Sequence, residues 1–264
     1  MSMIMHVSLL RGDYLRAGQA FGLLLRAAPT SSPLALRSSG NWGIGAEILL
    51  RMGVANSRQR GKPRSSSADS DDEHTDDDQR NNDPHDHESD LAGALSATKE
   101  YYEALILQYP FQKHVPQAVD ARTFYPALFG LLIHEAVETS RLAREISSDS
   151  PEAVIRAELR AARAIAARVD DLLVSPPYDR FAPLLRLRGM IGLWTADLVD
   201  ALRDETSPRD YEDDDSMDDH STGDYDDAAR AEMMRVAAAE RDRARVCFER
   251  CVRAGGEVPE TRSG

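Results

Sequence analysis

The chain has 264 residues, 42% of them hydrophobic, with two cysteines and a formal net charge of −13. That length holds one sizeable core or a short stack of helical repeats. It contains no run of 18 uncharged apolar residues that would suggest a membrane span, and two cysteines four apart on one predicted helix exclude a framework of long-range disulfides, so a reducing, intracellular compartment is expected.

The charge is segregated along the chain. Ser65 to Asp90 holds eleven acidic residues against one arginine, and Asp204 to Asp227 holds twelve against one. Taking these −21 charges out of the total leaves +8, a mildly basic body carrying two acidic brushes.

In chain order, Met1 to Leu10 lacks a basic segment ahead of its apolar part and is interrupted at once by Arg11 and Asp13, so it is not read as a secretory signal. Leu9 to Pro29 carries the most informative spacing. Gly12 is followed by Tyr14, Ala17, Phe21, Leu24 and the closing Pro29. That succession of turn residue, aromatic, small residue, aromatic, apolar residue and proline follows the A-x3-F…P half of the roughly 34-residue tetratricopeptide repeat. Gly12 closes an interhelix turn at positive φ, Ala17 lets two helices approach, Phe21 fills the groove between them and Pro29 ends the helix. The spacing recurs as Ala97, Tyr101 and Ala104 with Pro110 beyond, and as Ala244, Phe248 and Cys251 with Gly255 and Gly256 past the helix end.

Asn41 caps a predicted helix through Trp42, Ile44, Ile48 and Met52. Its partner runs from Leu91 to Tyr109, delayed by residues 54–90. That tract is first basic (Arg58, Arg60, Lys62, Arg64), then rich in Ser, Asp, His and Asn, and it is expected to be disordered because it has too little apolar surface to offset ordering. A third pair joins Ala118 to Ile146, interrupted at Pro126, with a helix capped at Asp149 or Ser150, opened by Pro151 and striped by Val154, Ile155, Leu159, Ala162, Ile165, Ala166, Val169, Leu172 and Leu173. A fourth begins at Asp179, read as a cap, and carries Leu184, Leu185, Trp194 and Leu198, with Gly189 and Gly192 permitting close packing. A second disordered insertion is expected at 204–227, then a helix over Ala228 to Ala254, inside a repeat domain spanning 1–258 with a disordered tail at 259–264. Both insertions fall between the first and second helix of a pair, where a stack of repeats tolerates extra chain. No segment alternates like a strand.

Candidate chemistry is sparse. His134, Glu135 and Glu138 resemble a fragment of an HExxH helix, but position 138 is Glu where a second histidine would complete the ligand pair, so an ordinary polar helix face is the preferred reading. His74, His85 and His87 are read as solvated members of the acidic tract, and Cys247 and Cys251 as buried structural thiols. No phosphate-binding, dinucleotide or nucleophile-elbow motif occurs, so no catalytic residue, cofactor or metal is assigned. Arg58 to Arg64 is weighed as a nuclear import signal against a solvated linker, and Ser70, followed by Asp71, Asp72 and Glu73, as a phosphorylation site. The structural positions are Gly12, Tyr14, Ala17, Phe21, Pro29, Trp42, Tyr101, Ala104, Trp194, Ala244 and Phe248.

The segments Leu9 to Ala27, Asn41 to Gly53, Lys99 to Phe111, Phe124 to Glu135 and Ser175 to Val199, taken in succession, resemble the tetratricopeptide-repeat subunit of the fungal RNA polymerase I core factor, an RNA polymerase I-specific transcription initiation factor. The resemblance implies a non-enzymatic, all-α scaffold in the nucleus and nucleolus. It also implies as partners the other core-factor subunits, the TATA-binding protein and RNA polymerase I, with promoter DNA bound as part of the complex. The rival readings are a generic repeat adaptor or cochaperone with a basic groove for a peptide carboxylate, and, more remotely, a helical metal hydrolase using His134 and Glu135.

Overall fold

A computed structural model describes residues 2–27, 41–60, 84–114, 119–146, 150–206 and 223–257. Among the described residues are eight α-helices and no strand, so the chain is all-α: α1 (Ser2–Leu10), α2 (Tyr14–Ala27), α3 (Asn41–Arg60), α4 (Pro84–Gln108), α5 (Ala121–Ile146), α6 (Pro151–Leu173), α7 (Ala182–Glu205) and α8 (Gly223–Arg253). None of these helices is long and apolar enough to cross a membrane. Pro29, Lys62, Arg64, Ser70, His74 and the tail from 258 lie outside the described residues. The chain divides into two compact units, Met1–Phe124 and Tyr125–Gly264, with the boundary inside α5.

In the first unit the α1 to α2 turn is set by Gly12 at φ +72°. The Asp13 amide donates to the Ser8 carbonyl at 2.9 Å and the Gly12 amide to the Leu9 carbonyl at 3.1 Å, the paired bonds that satisfy a helix C-terminus around a left-handed residue. Asp13 then caps α2, its Oδ1 accepting from the Arg16 amide at 3.1 Å. Met5 on α1, Ala17, Ala20 and Phe21 on α2 and Ile48 on α3 form a buried cluster. α2 packs on α3 and α3 on α4.

The helices extend into the two segments expected to be disordered, 54–90 and 204–227: α3 runs to Arg60, α4 starts at Pro84, α7 runs to Glu205 and α8 starts at Gly223.

The second unit packs α6 on α7 and α7 on α8. Ser150 caps α6, its Oγ accepting from the Ala153 amide at 3.2 Å, with Pro151 in the first turn. The residues buried along α6 match the predicted stripe except that Leu172 is partly exposed and Glu158 joins it. Asp179 does not cap α7. The helix begins at Ala182 behind an extended Phe181, and the Asp179 carbonyl instead accepts from Arg250 at 2.9 Å. At its C-terminus α8 repeats the device of α1, with Gly255 at φ +79° and the Gly256 amide donating to the Cys251 carbonyl at 3.0 Å.

Close approach of α7 and α8 depends on two glycines. A Cβ at Gly189 would lie 2.5 Å from the Phe248 ring, and one at Gly192 would lie 3.1 Å from the Ala244 Cβ and 3.2 Å from the Glu240 carbonyl oxygen. Gly189→Ala is therefore expected to cost about 1–2 kcal/mol, since overpacking against the ring outweighs the gain in helix propensity. At Gly130 on α5 nothing lies within 4 Å of an added Cβ, so Gly130→Ala should stabilise by about 0.5–1 kcal/mol. Urea denaturation of the two variants checks the contrast. Equal stability would mean that the Phe248 ring turns aside at no cost.

Candidate interaction site

The predicted structural residues of the first unit fall into two groups. Around the α1 to α2 hairpin, Ala17 is fully buried and Phe21 nearly so, while Tyr14 is half-buried with the Arg51 guanidinium 6.0 Å from its ring centroid. The second group is aromatic. Trp42 meets the Phe124 ring edge-on at 5.4 Å and Tyr102 at 6.4 Å, and Tyr109 sits 6.3 Å from Phe124. Tyr101 donates its hydroxyl to the Trp42 carbonyl at 3.2 Å, and burial pushes its phenol well above the ordinary range. A Cβ on Gly45 would lie 2.5 Å from Phe21 and 2.7 Å from the Tyr101 hydroxyl, so this glycine lets both aromatics reach α3.

Ala104 is exposed, as is Ala97. The buried positions of α4 are Ala94, Leu95, Thr98, Tyr102 and Leu105, spaced at three and four. Ala97 and Ala104 fall off that face, so their spacing around Tyr101 is not the packing register. At the other recurrence the packing does follow the spacing: Ala244 and Cys251 are buried, and Phe248 packs over Gly189.

Outside these positions α1 exposes Met3, Ile4, Val7 and Leu10, and α2 exposes Leu15. His134 is exposed, and Glu138 is paired with Arg141 at 2.9 Å. No group of three or more metal-ligating side chains occurs among the described residues. Cys247 and Cys251 are buried free thiols. Burial raises the Cys247 thiol, against the opposing charge of Arg188, and the Cys251 Sγ lies 3.4 Å from the Ala182 carbonyl oxygen.

In the second unit, α5 and α6 are separated by a groove of about 630 Å³. Ala136, Thr139 and Ala143 lie on one wall and Ala157, Ala161 and Ala164 on the other. Arg144 of α5 pairs with the buried Glu158 of α6 at 2.7 Å, and the Trp194 indole of α7 donates to the other Glu158 oxygen at 3.1 Å. Leu132 and Ile165 join the core built around Phe129 and Val169. Glu135, Arg160 and Arg168 supply charge at its lining.

Three buried charges among the described residues, Asp120, Glu158 and Arg188, were not anticipated from the sequence. Glu158 and Arg188 each interrupt an otherwise apolar helix face at core spacing, which is the signal the sequence offers.

The described helices of the second unit thus include an apolar groove. No curated protein and no solved structure matches the chain. A family model described as RNA polymerase I-specific transcription initiation factor Rrn11 matches residues 1–201, about three quarters of the chain, and the chain belongs to that family of RNA polymerase I-specific transcription initiation factors.

Proposed function

We propose that the chain is a non-enzymatic scaffold subunit of the RNA polymerase I core factor. It acts in the nucleus and nucleolus, holding companion subunits together and helping to bring the TATA-binding protein, promoter DNA and RNA polymerase I into one initiation assembly. The observation that carries this reading is the family match over residues 1–201, which takes in α1 to α6 and most of α7. Helical hairpins of the tetratricopeptide type fit the role, because stacked units of this kind present long surfaces to several partners. In the first unit Gly12, Tyr14, Ala17 and Phe21 would hold the turn and the interhelix contact. The mildly basic body outside the acidic tracts suits an assembly bound to a phosphate backbone.

The test is affinity purification of the tagged full chain from its own cells at moderate salt, followed by mass spectrometry, together with pulse-labelling of precursor ribosomal RNA after depletion. The expected result is recovery of the companion core-factor subunits with RNA polymerase I at lower yield, and loss of new precursor ribosomal RNA. Recovery of chaperones or unrelated clients alone, with ribosomal RNA synthesis intact, would overturn the scaffold reading in favour of a general adaptor.

A further inference from the structure

We infer that the groove between α5 and α6 is a docking site for one amphipathic helix of a partner protein, a helix with large aliphatic or aromatic residues three and four apart and carboxylates along the flank that meets α6.

The shape of the site comes first. Its walls are the facing stripes of two helices, lined mainly by alanine with Thr139 and Ser140, and its charged members are Glu135, Glu158, Arg160 and Arg168. Small residues on both walls leave room for the ridge of a third helix at ordinary interaxial separation. From Ala153 to Ala164 the α6 wall is about 17 Å long, three helical turns.

The walls also decide what form the occupant takes. An extended peptide would turn its amides and carbonyls toward these faces and find almost nothing to bond, a cost of a few kcal/mol for each group left without water. A helix satisfies its backbone internally and presents only side chains. Helix-in-groove recognition uses that arrangement.

Charge sets the flank. On the α6 side, Arg160 and Arg168 line the groove, and Arg160 has no ion pair among the described residues. Arg163, one turn along from Arg160, is exposed. On the α5 side the charge is Glu135, while Glu158 in the floor is already engaged by Arg144 and Trp194. Carboxylates on the occupant therefore belong on its α6 flank. The apolar walls and Glu135 disfavour a phosphate backbone in the same place.

This inference rests on the reading that the chain works in a multi-subunit assembly, but not on which one. The experiment places p-benzoylphenylalanine at Ala157 or Ala164, both on the exposed part of the wall, in the tagged full chain in its own cells. Irradiation, purification and mass spectrometry then identify the linked peptide, with circular dichroism confirming that each variant is folded. The expected product joins the groove to a segment of another protein that reads as an acidic-flanked amphipathic helix. Its yield should fall by about tenfold with Arg160→Glu and Arg163→Glu together. A link to this chain itself, to nucleic acid or to a basic or non-helical segment, no link from either position, or a yield untouched by the charge reversals would each overturn the proposal. A linked acidic helix from a protein outside RNA polymerase I initiation would uphold the groove and count against the core-factor reading. Co-purification of the core-factor subunits without any link would do the reverse.

Discussion

Asp170→Asn should destabilise the second unit by about 2–4 kcal/mol, whereas Arg188→Met should leave it within about 1 kcal/mol of the parent protein. Arg188 of α7 is 1% exposed. Its Nε donates to Asp170 of α6 at 2.7 Å, and its Nη2 lies 3.8 Å from Glu240 of α8. Burial disfavours the guanidinium charge, and the hydrogen bond and charge of Asp170, with Glu240 behind it, more than offset that, so the group is held charged. Its Nη1 has no hydrogen-bond partner among the described residues, and a Cβ at Gly192 would lie 3.4 Å from it. Removing the carboxylate of Asp170 strands a buried cation with one distant counter-charge. Removing the cation strands nothing comparable, because the Asp170 side chain is half-exposed and Glu240 is also paired with Arg243 at 2.5 Å. Urea denaturation of the single variants and of the Asp170→Asn/Arg188→Met double variant checks the asymmetry. The double variant should recover most of the loss, and a double variant as unstable as Asp170→Asn alone would mean that the carboxylate stabilises α6 independently of Arg188.

The same ion pair marks where sequence reading stopped. Helix positions were legible because apolar spacing, glycine and the Ser150-Pro151 start each act over a few residues. Gly12 at the first turn and Gly189 and Gly192 on α7 were legible for the same reason, since a missing side chain has a local meaning wherever helices turn or touch. Arg188 has its partner 18 residues earlier on another helix, and nothing in the apolar period of α7 says which carboxylate comes near. Ala104 failed in the opposite way. An alanine three residues after an aromatic occurs readily in any alanine-rich helix, and only the position of α3 decides that the Ala94, Thr98 and Leu105 face is the buried one.

The groove has a similar origin. Alanine stripes on α5 and α6 are compatible with two helices in tight contact and with two helices held apart. Between them the two helices are tied by the Arg144–Glu158 pair and by the core that Leu132 and Ile165 share. A buried glutamate whose two oxygens are taken by α5 and α7 fixes separation and angle as well as contributing energy. Buried polar groups serve specificity most clearly when, as at Glu158, each oxygen has a partner.

Phe124→Ala is expected to cost the first unit about 3–5 kcal/mol. The ring is fully buried. It receives Trp42 of α3 edge-on at 5.4 Å, and Tyr109, just past α4, at 6.3 Å, so its removal takes away transfer energy and aromatic contacts together and leaves a cavity between two large side chains. Phe124→Leu keeps most of the volume and should cost about 1–2 kcal/mol, the difference reporting the ring geometry. Hydrogen exchange locates the effect. Protection should fall across α3 and α4, which meet this ring through Trp42 and, just past α4, Tyr109, and remain at parental levels in α7 and α8 of the second unit. A uniform loss of protection over both units would mean that they unfold as one. A cost below about 1 kcal/mol would mean that the first unit draws its stability from the Met5, Phe21 and Ile48 cluster instead.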